Sequence, residues 1–119
     1  MSAIQGPMLP VPMPPEEDWR DAVRRSSALL RKEGFLVSRP GGPRSPDGTS
    51  PDLTAADGSR VIRVFVLLDR EIDAEETRDR LRAAYREGET RVYVPWPLSW
   101  RVLSNLTRWG LRGISVLGW

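Results

Sequence analysis

The sequence predicts an α/β domain, a mixed central β-sheet with helices on both faces in the element order αβββαβαβ. Three observations carry that reading. Residues 61–68 (VIRVFVLL) are apolar everywhere except Arg63, as a strand covered on both faces must be. An extended run from Pro51 leads into it through Asp57-Gly58, a pair that tolerates tight turns, so the two runs form a hairpin at the middle of the sheet. Two amphipathic stretches downstream are each followed by a short β-forming run, the pattern of crossovers onto a mixed sheet.

The elements follow in order. Residues 1–15 hold Pro7, Pro10, Pro12, Pro14 and Pro15, a density that forbids helix and predicts an extended leader, with Met8, Leu9, Val11 and Met13 apolar enough to dock. Residues 16–119 form the single α/β domain. Its first helix spans 16–33. Glu16, Glu17 and Asp18 complement the positive end of the helix dipole, Arg31 and Lys32 occupy the last turn, and Gly34 terminates it. Trp19, Ala22, Val23, Leu29 and Leu30 mark its buried face, with Ser26 between them.

Residues 35–38 make a short strand, and 39–50 a Pro/Gly/Ser-rich connector. Its Gly41-Gly42-Pro43-Arg44-Ser45 lacks the spacing, lysine and following helix of a phosphate-binding loop. After the hairpin, Asp73 and Glu76 suit a capping box for a helix over 74–87, with Thr77, Leu81, Ala84 and Tyr85 as its buried stripe. A strand over 90–94 ends at Pro95-Trp96-Pro97. A third helix over 98–109, apolar at Leu98, Val102, Leu103, Leu106 and Trp109, is stopped by Gly110, and 114–117 is the last strand.

Composition narrows the chemistry. The 119 residues contain no Cys and no His, which removes disulfides, Cys/His zinc sites, thiol nucleophiles and histidine bases. Hydrolysis would need carboxylates with a hard metal such as Mg²⁺, or the single lysine, Lys32. The formal charge of +2 makes no demand for a nucleic-acid partner. No apolar run approaches the ~20 residues of a membrane span, and the start lacks a secretory signal, so the expected location is the cytoplasm, with no membrane partner.

The residues Pro51-Asp52, the Asp57-Gly58 turn, the run 60–68 and a first helix ending Arg31-Lys32-Glu33-Gly34-Phe35 together resemble the PD-(D/E)xK, or restriction-endonuclease-like, nuclease superfamily. The resemblance covers the chain from Glu16 onward as an order of elements. It implies that the second-strand acid, Asp52, and the acid of an acid-x-lysine triplet on the third strand hold Mg²⁺, while the lysine positions the attacking water. Residues i and i+2 of a strand share a face, which is why that spacing works.

In this chain the triplet is Arg63-Val64-Phe65, with arginine in place of the metal-binding acid and phenylalanine in place of the lysine. Arg63 is therefore expected to pair with Asp52 in a structural salt bridge that displaces the metal. The expected function is a catalytically degenerate member acting as a nucleic-acid- or protein-binding accessory module, with no cofactor. One alternative is a divergent Mg²⁺-dependent deoxyribonuclease built on Asp52, with Glu17 or Glu33 as substitute acid and Lys32, the only lysine, reaching the strand face. Another is a homodimeric interaction protein.

A second cluster, Trp96, Trp100, Arg101, Arg108 and Arg112, joins faces that stack on bases to groups that neutralise phosphate, and is the candidate surface for DNA, RNA or a protein partner. Trp19 and Trp109 fall on buried helix faces and read as core.

Overall fold

The computed structural model describes residues 15–39 and 50–119, and side chains from Trp19 onward. The leader up to Pro14, the glycine cluster of the first connector, and the side chains of Glu16, Glu17 and Asp18 lie outside the described residues. The elements are α1 (Pro15–Lys32), β1 (Leu36–Ser38), β2 (Leu53–Ala56), β3 (Val61–Val66), α2 (Glu75–Glu87), β4 (Thr90–Val94), α3 (Ser99–Trp109) and β5 (Ser115–Gly118). Short 3-10 turns precede α2 and α3, at Asp69–Glu71 and Trp96–Leu98.

The five strands lie side by side in chain order, β1-β2-β3-β4-β5. β1 and β3 each pair antiparallel with β2, whereas β3–β4 and β4–β5 are parallel. Antiparallel neighbours can be joined by a tight loop, but parallel ones need a crossover, and here α2 and α3 supply the two crossovers. The hairpin loop spans Asp57 to Arg60 between the paired Ala56 and Val61. The Asp57 carboxylate accepts from the backbone amides of Ser59 and Arg60 and from the Ser59 hydroxyl, and Gly58 takes φ +91°. The Ser59 bonds, the backbone one first, hold the Asp57 carboxyl below its ordinary value.

Alternation along β3 divides the core in two. Ile62, Val64 and Val66 pack with Ala22, Val23 and Leu30 of α1, while Phe65 packs with Leu81 and Ala84 of α2 and Val102 and Leu106 of α3. The sheet is thus covered on both faces, α1 on one and α2 with α3 on the other. Fully burying side chains such as Phe65, Leu81 and Tyr93 stabilises by about 1.5–3 kcal/mol each. Among the described residues no helix is long and apolar enough to cross a membrane.

Three apolar residues assigned to buried stripes are exposed instead. Leu29, Tyr85 and Leu103 sit at the margins of their helical faces, one position round from the residues that meet the sheet. Ser26 and Ser27 fill the corresponding space under α1, and Asn105 does so under α3. The expected capping box is also absent. Ala74 occupies the N-cap of α2 without a side-chain bond, because Asp73 turns toward α3.

Candidate functional site

Asp52 precedes β2 by one residue and continues its ladder, its amide donating to the Val64 carbonyl at 2.9 Å. One further step of the Leu53–Val64 register sets Asp52 opposite Phe65, on the α2 side of the sheet. Its carboxylate is buried at 4% exposure, and both oxygens are engaged. Oδ2 accepts from the Val66 amide at 2.8 Å, and Oδ1 accepts from Nη2 of Arg80 on α2 at 3.2 Å. The same Arg80 nitrogen donates to the Ser50 carbonyl at 3.1 Å, and the guanidinium carbon lies 5.0 Å from the centre of the Phe65 ring. The aromatic face thus supports the cation that neutralises the acid.

The expected Arg63–Asp52 pair is therefore replaced by Arg80–Asp52. Arg63 lies opposite Thr54, two residues along the same face, beside the end of α2. There its amide donates to the Glu89 carbonyl and its guanidinium pairs with Glu87 at 3.2 Å, so its charge is compensated away from Asp52.

The acid and lysine considered as substitutes are not brought to Asp52. Glu33, just beyond α1, accepts from Arg91 at 3.0 Å and from the Tyr93 hydroxyl at 3.4 Å, on the α1 side of the sheet. Burial pushes the Tyr93 phenol up, which keeps it a donor. Lys32 lines an apolar groove of about 430 Å³ with Leu29, Glu33, Tyr93, Trp96 and Leu117 on that same side. The sheet therefore stands between Asp52 and both Glu33 and Lys32. Among the described residues no three Asp, Glu, His or Cys side chains gather as candidate metal ligands. Among the same residues, the Asp52 oxygens serve an amide and a guanidinium.

At the start of α3, Trp96 and Trp100 are 69% and 64% exposed, as a contact surface would have them. Two of the three arginines beside them are engaged. Arg101 pairs with Asp69 at 3.0 Å and with Asp73, and these bonds, Asp73 first, raise its pKa. Arg108 donates to Oδ1 of Asn105 at 2.5 Å, while Arg112 is exposed beyond α3. The buried Asn105 donates to the Ile72 carbonyl at 3.0 Å and to Asp73 at 2.7 Å, tying α3 to the approach to α2. Sequence reasoning missed Asn105. Its one visible signal is a polar residue beside Leu106 on an otherwise apolar face.

Compared with family models, curated proteins and solved structures, the chain matches none.

The Asn105 amide, followed by Arg101, holds the Asp73 carboxyl below the usual carboxylate range. A depressed folded-state pKa means that Asp73 stabilises the fold above the unfolded value of about 3.9, and that this contribution disappears as pH falls through the folded value. The Asp73→Asn variant should therefore lose less stability than the wild type between about pH 4 and the acid limit. Urea midpoints measured at stepped pH check this, and parallel curves would refute it.

Proposed function

We propose that this chain is a restriction-endonuclease-like scaffold without metal-dependent chemistry, serving as an accessory module that binds nucleic acid or another protein. The observation that carries the reading is the Asp52 carboxylate, held on one oxygen by the Val66 amide and on the other by Arg80. An order of elements αβββαβαβ supports the scaffold, and Phe65 in the lysine's place supports the lost chemistry. A metal would have to displace a buried guanidinium, and among the described residues no three metal-ligating side chains gather. The protein-binding half of the reading draws on Trp96, Trp100 and Leu103, large apolar side chains exposed near one another in sequence.

Supercoiled plasmid incubated with the purified chain in Mg²⁺ or Mn²⁺ should remain intact. Millimolar Mg²⁺ should leave the unfolding temperature where EDTA leaves it, because only a ligand bound by the folded state raises it. Cleavage that vanishes in both Asp52→Ala and Asp52→Asn would establish the nuclease alternative. Light scattering at twice the monomer mass, with Trp100 shielded from quencher, would assign the aromatic face to a second copy.

A further inference from the structure

The two flanks of α1 differ in chemistry. At about 100° per residue, Arg20, Arg24, Ser27 and Arg31 fall within about 60° of one another, in a line some 16 Å long. Arg39, just past β1, joins them around a groove of about 330 Å³ that Val23 and Ser27 also line. Ser27 is small and buried, which leaves the floor of the groove clear between the guanidinium groups.

Several other arginines in the fold are charge-compensated. Arg60 pairs with Asp57 and Glu89, Arg63 with Glu87, Arg80 with Asp52, Arg91 with Glu33, and Arg101 with Asp69 and Asp73. Arg24 shares Asp21 with Arg25 and stays 77% exposed. Arg20, Arg31 and Arg39 have no ion pair among the described residues. A modest net charge therefore conceals a concentrated cationic line on one helix flank.

We infer that this flank binds the phosphate backbone of a nucleic-acid duplex. A straight row of exposed guanidinium groups complements a polyanion with regularly repeated charge, and a rigid helix suits a rigid partner. Among the described residues the groove has no aromatic lining and offers unpaired bases no stacking platform, which favours duplex over single strand. Contact is with phosphate, so recognition is independent of base sequence. This deepens the binding reading above and places the contact on the α1 layer, across the sheet from Asp52.

The test is fluorescence anisotropy with the full chain and a labelled 20-base-pair DNA duplex of arbitrary sequence. Four arginines meeting four phosphates give a slope of log affinity against log salt near about −3.6, so raising salt from 50 to 200 mM should weaken binding about 150-fold. Replacing one arginine, as in Arg24→Gln or Arg31→Gln, should bring the slope to about −2.7 and that loss to about 40-fold. Arg70→Gln/Arg86→Gln, changed on exposed sites elsewhere, should keep the wild-type slope.

Circular dichroism should show the stripe variants folded, since every arginine changed is exposed. Absence of duplex binding at 50 mM salt overturns the inference. So does a slope unmoved by the stripe variants, or tighter binding to vesicles of anionic phospholipid than to the duplex. Plasmid cleavage would overturn the non-catalytic reading and leave this contact standing, whereas a duplex that fails to bind would do the reverse.

Discussion

Asp52→Ala should destabilise the fold by about 3–5 kcal/mol, the cost of removing one partner from a buried ion pair. Truncation removes one bond from each of two buried donors. Arg80, with its side chain 11% exposed over the Phe65 ring, loses its bond to Asp52, and the Val66 amide at the end of β3 loses its bond to Oδ2. Asp52→Asn should cost less, because the amide oxygen still accepts from Val66 while only the charge is lost.

A comparison with Asp52→Asn/Arg80→Met isolates the ionic part. Replacing a buried pair by neutral groups is often close to neutral, so the double variant should be more stable than the sum of its single changes implies. Urea midpoints with unchanged slopes measure the wild type, Asp52→Ala, Asp52→Asn, Arg80→Met and the double variant. An Asp52→Ala midpoint equal to the wild type would mean that the carboxylate does not hold the sheet to α2.

Gly118→Val is the second change expected to be severe, at about 1–3 kcal/mol for an overpacked site. A Cβ built at Gly118 would lie 2.7 Å from the Trp96 Cα and 2.9 Å from its Cβ. Backbone cannot swing aside as a side chain can, so β5 must move off the turn before α3. Two bonds resist that movement, Trp96 N–H to the Trp119 carbonyl at 3.2 Å and Trp119 N–H to Val94 at 3.1 Å. Calorimetry should record a lower midpoint, by roughly 4–8 °C per kcal/mol for a domain near this size. Trp96 should gain access to acrylamide in the same variant. An unchanged midpoint would show that the close approach is relaxed in solution.

The elements were legible because each has a local cause. The β4 segment coincides residue for residue with the expected strand, since TRVYV is β-forming and Gly88 and Pro95 bound it. Asp57 and Gly58 identify the hairpin through turn chemistry alone. The partner of Asp52 was not legible, because Arg80 lies 28 residues away and its helix shows only the stripe that faces the sheet. Reading Arg63 as the partner followed the i, i+2 rule correctly for the face. It failed on distance along the strand, where Glu87 competes for the same guanidinium. Asp73 suited a helix cap by spacing, yet Asn105 and Arg101, about thirty residues later, bind it instead. The cationic line on α1 was present as letters, but neither the reach of Arg39 nor the acids committed elsewhere could be read without the fold.

A sheet whose spatial order repeats its order of synthesis has a kinetic consequence. Each strand finds its edge already waiting in chain made before it, so no early segment must hold open a gap for a late one. Contacts of short sequence separation favour quick assembly, and the β1–β2–β3 meander can close on α1 while later residues are still being added by the ribosome.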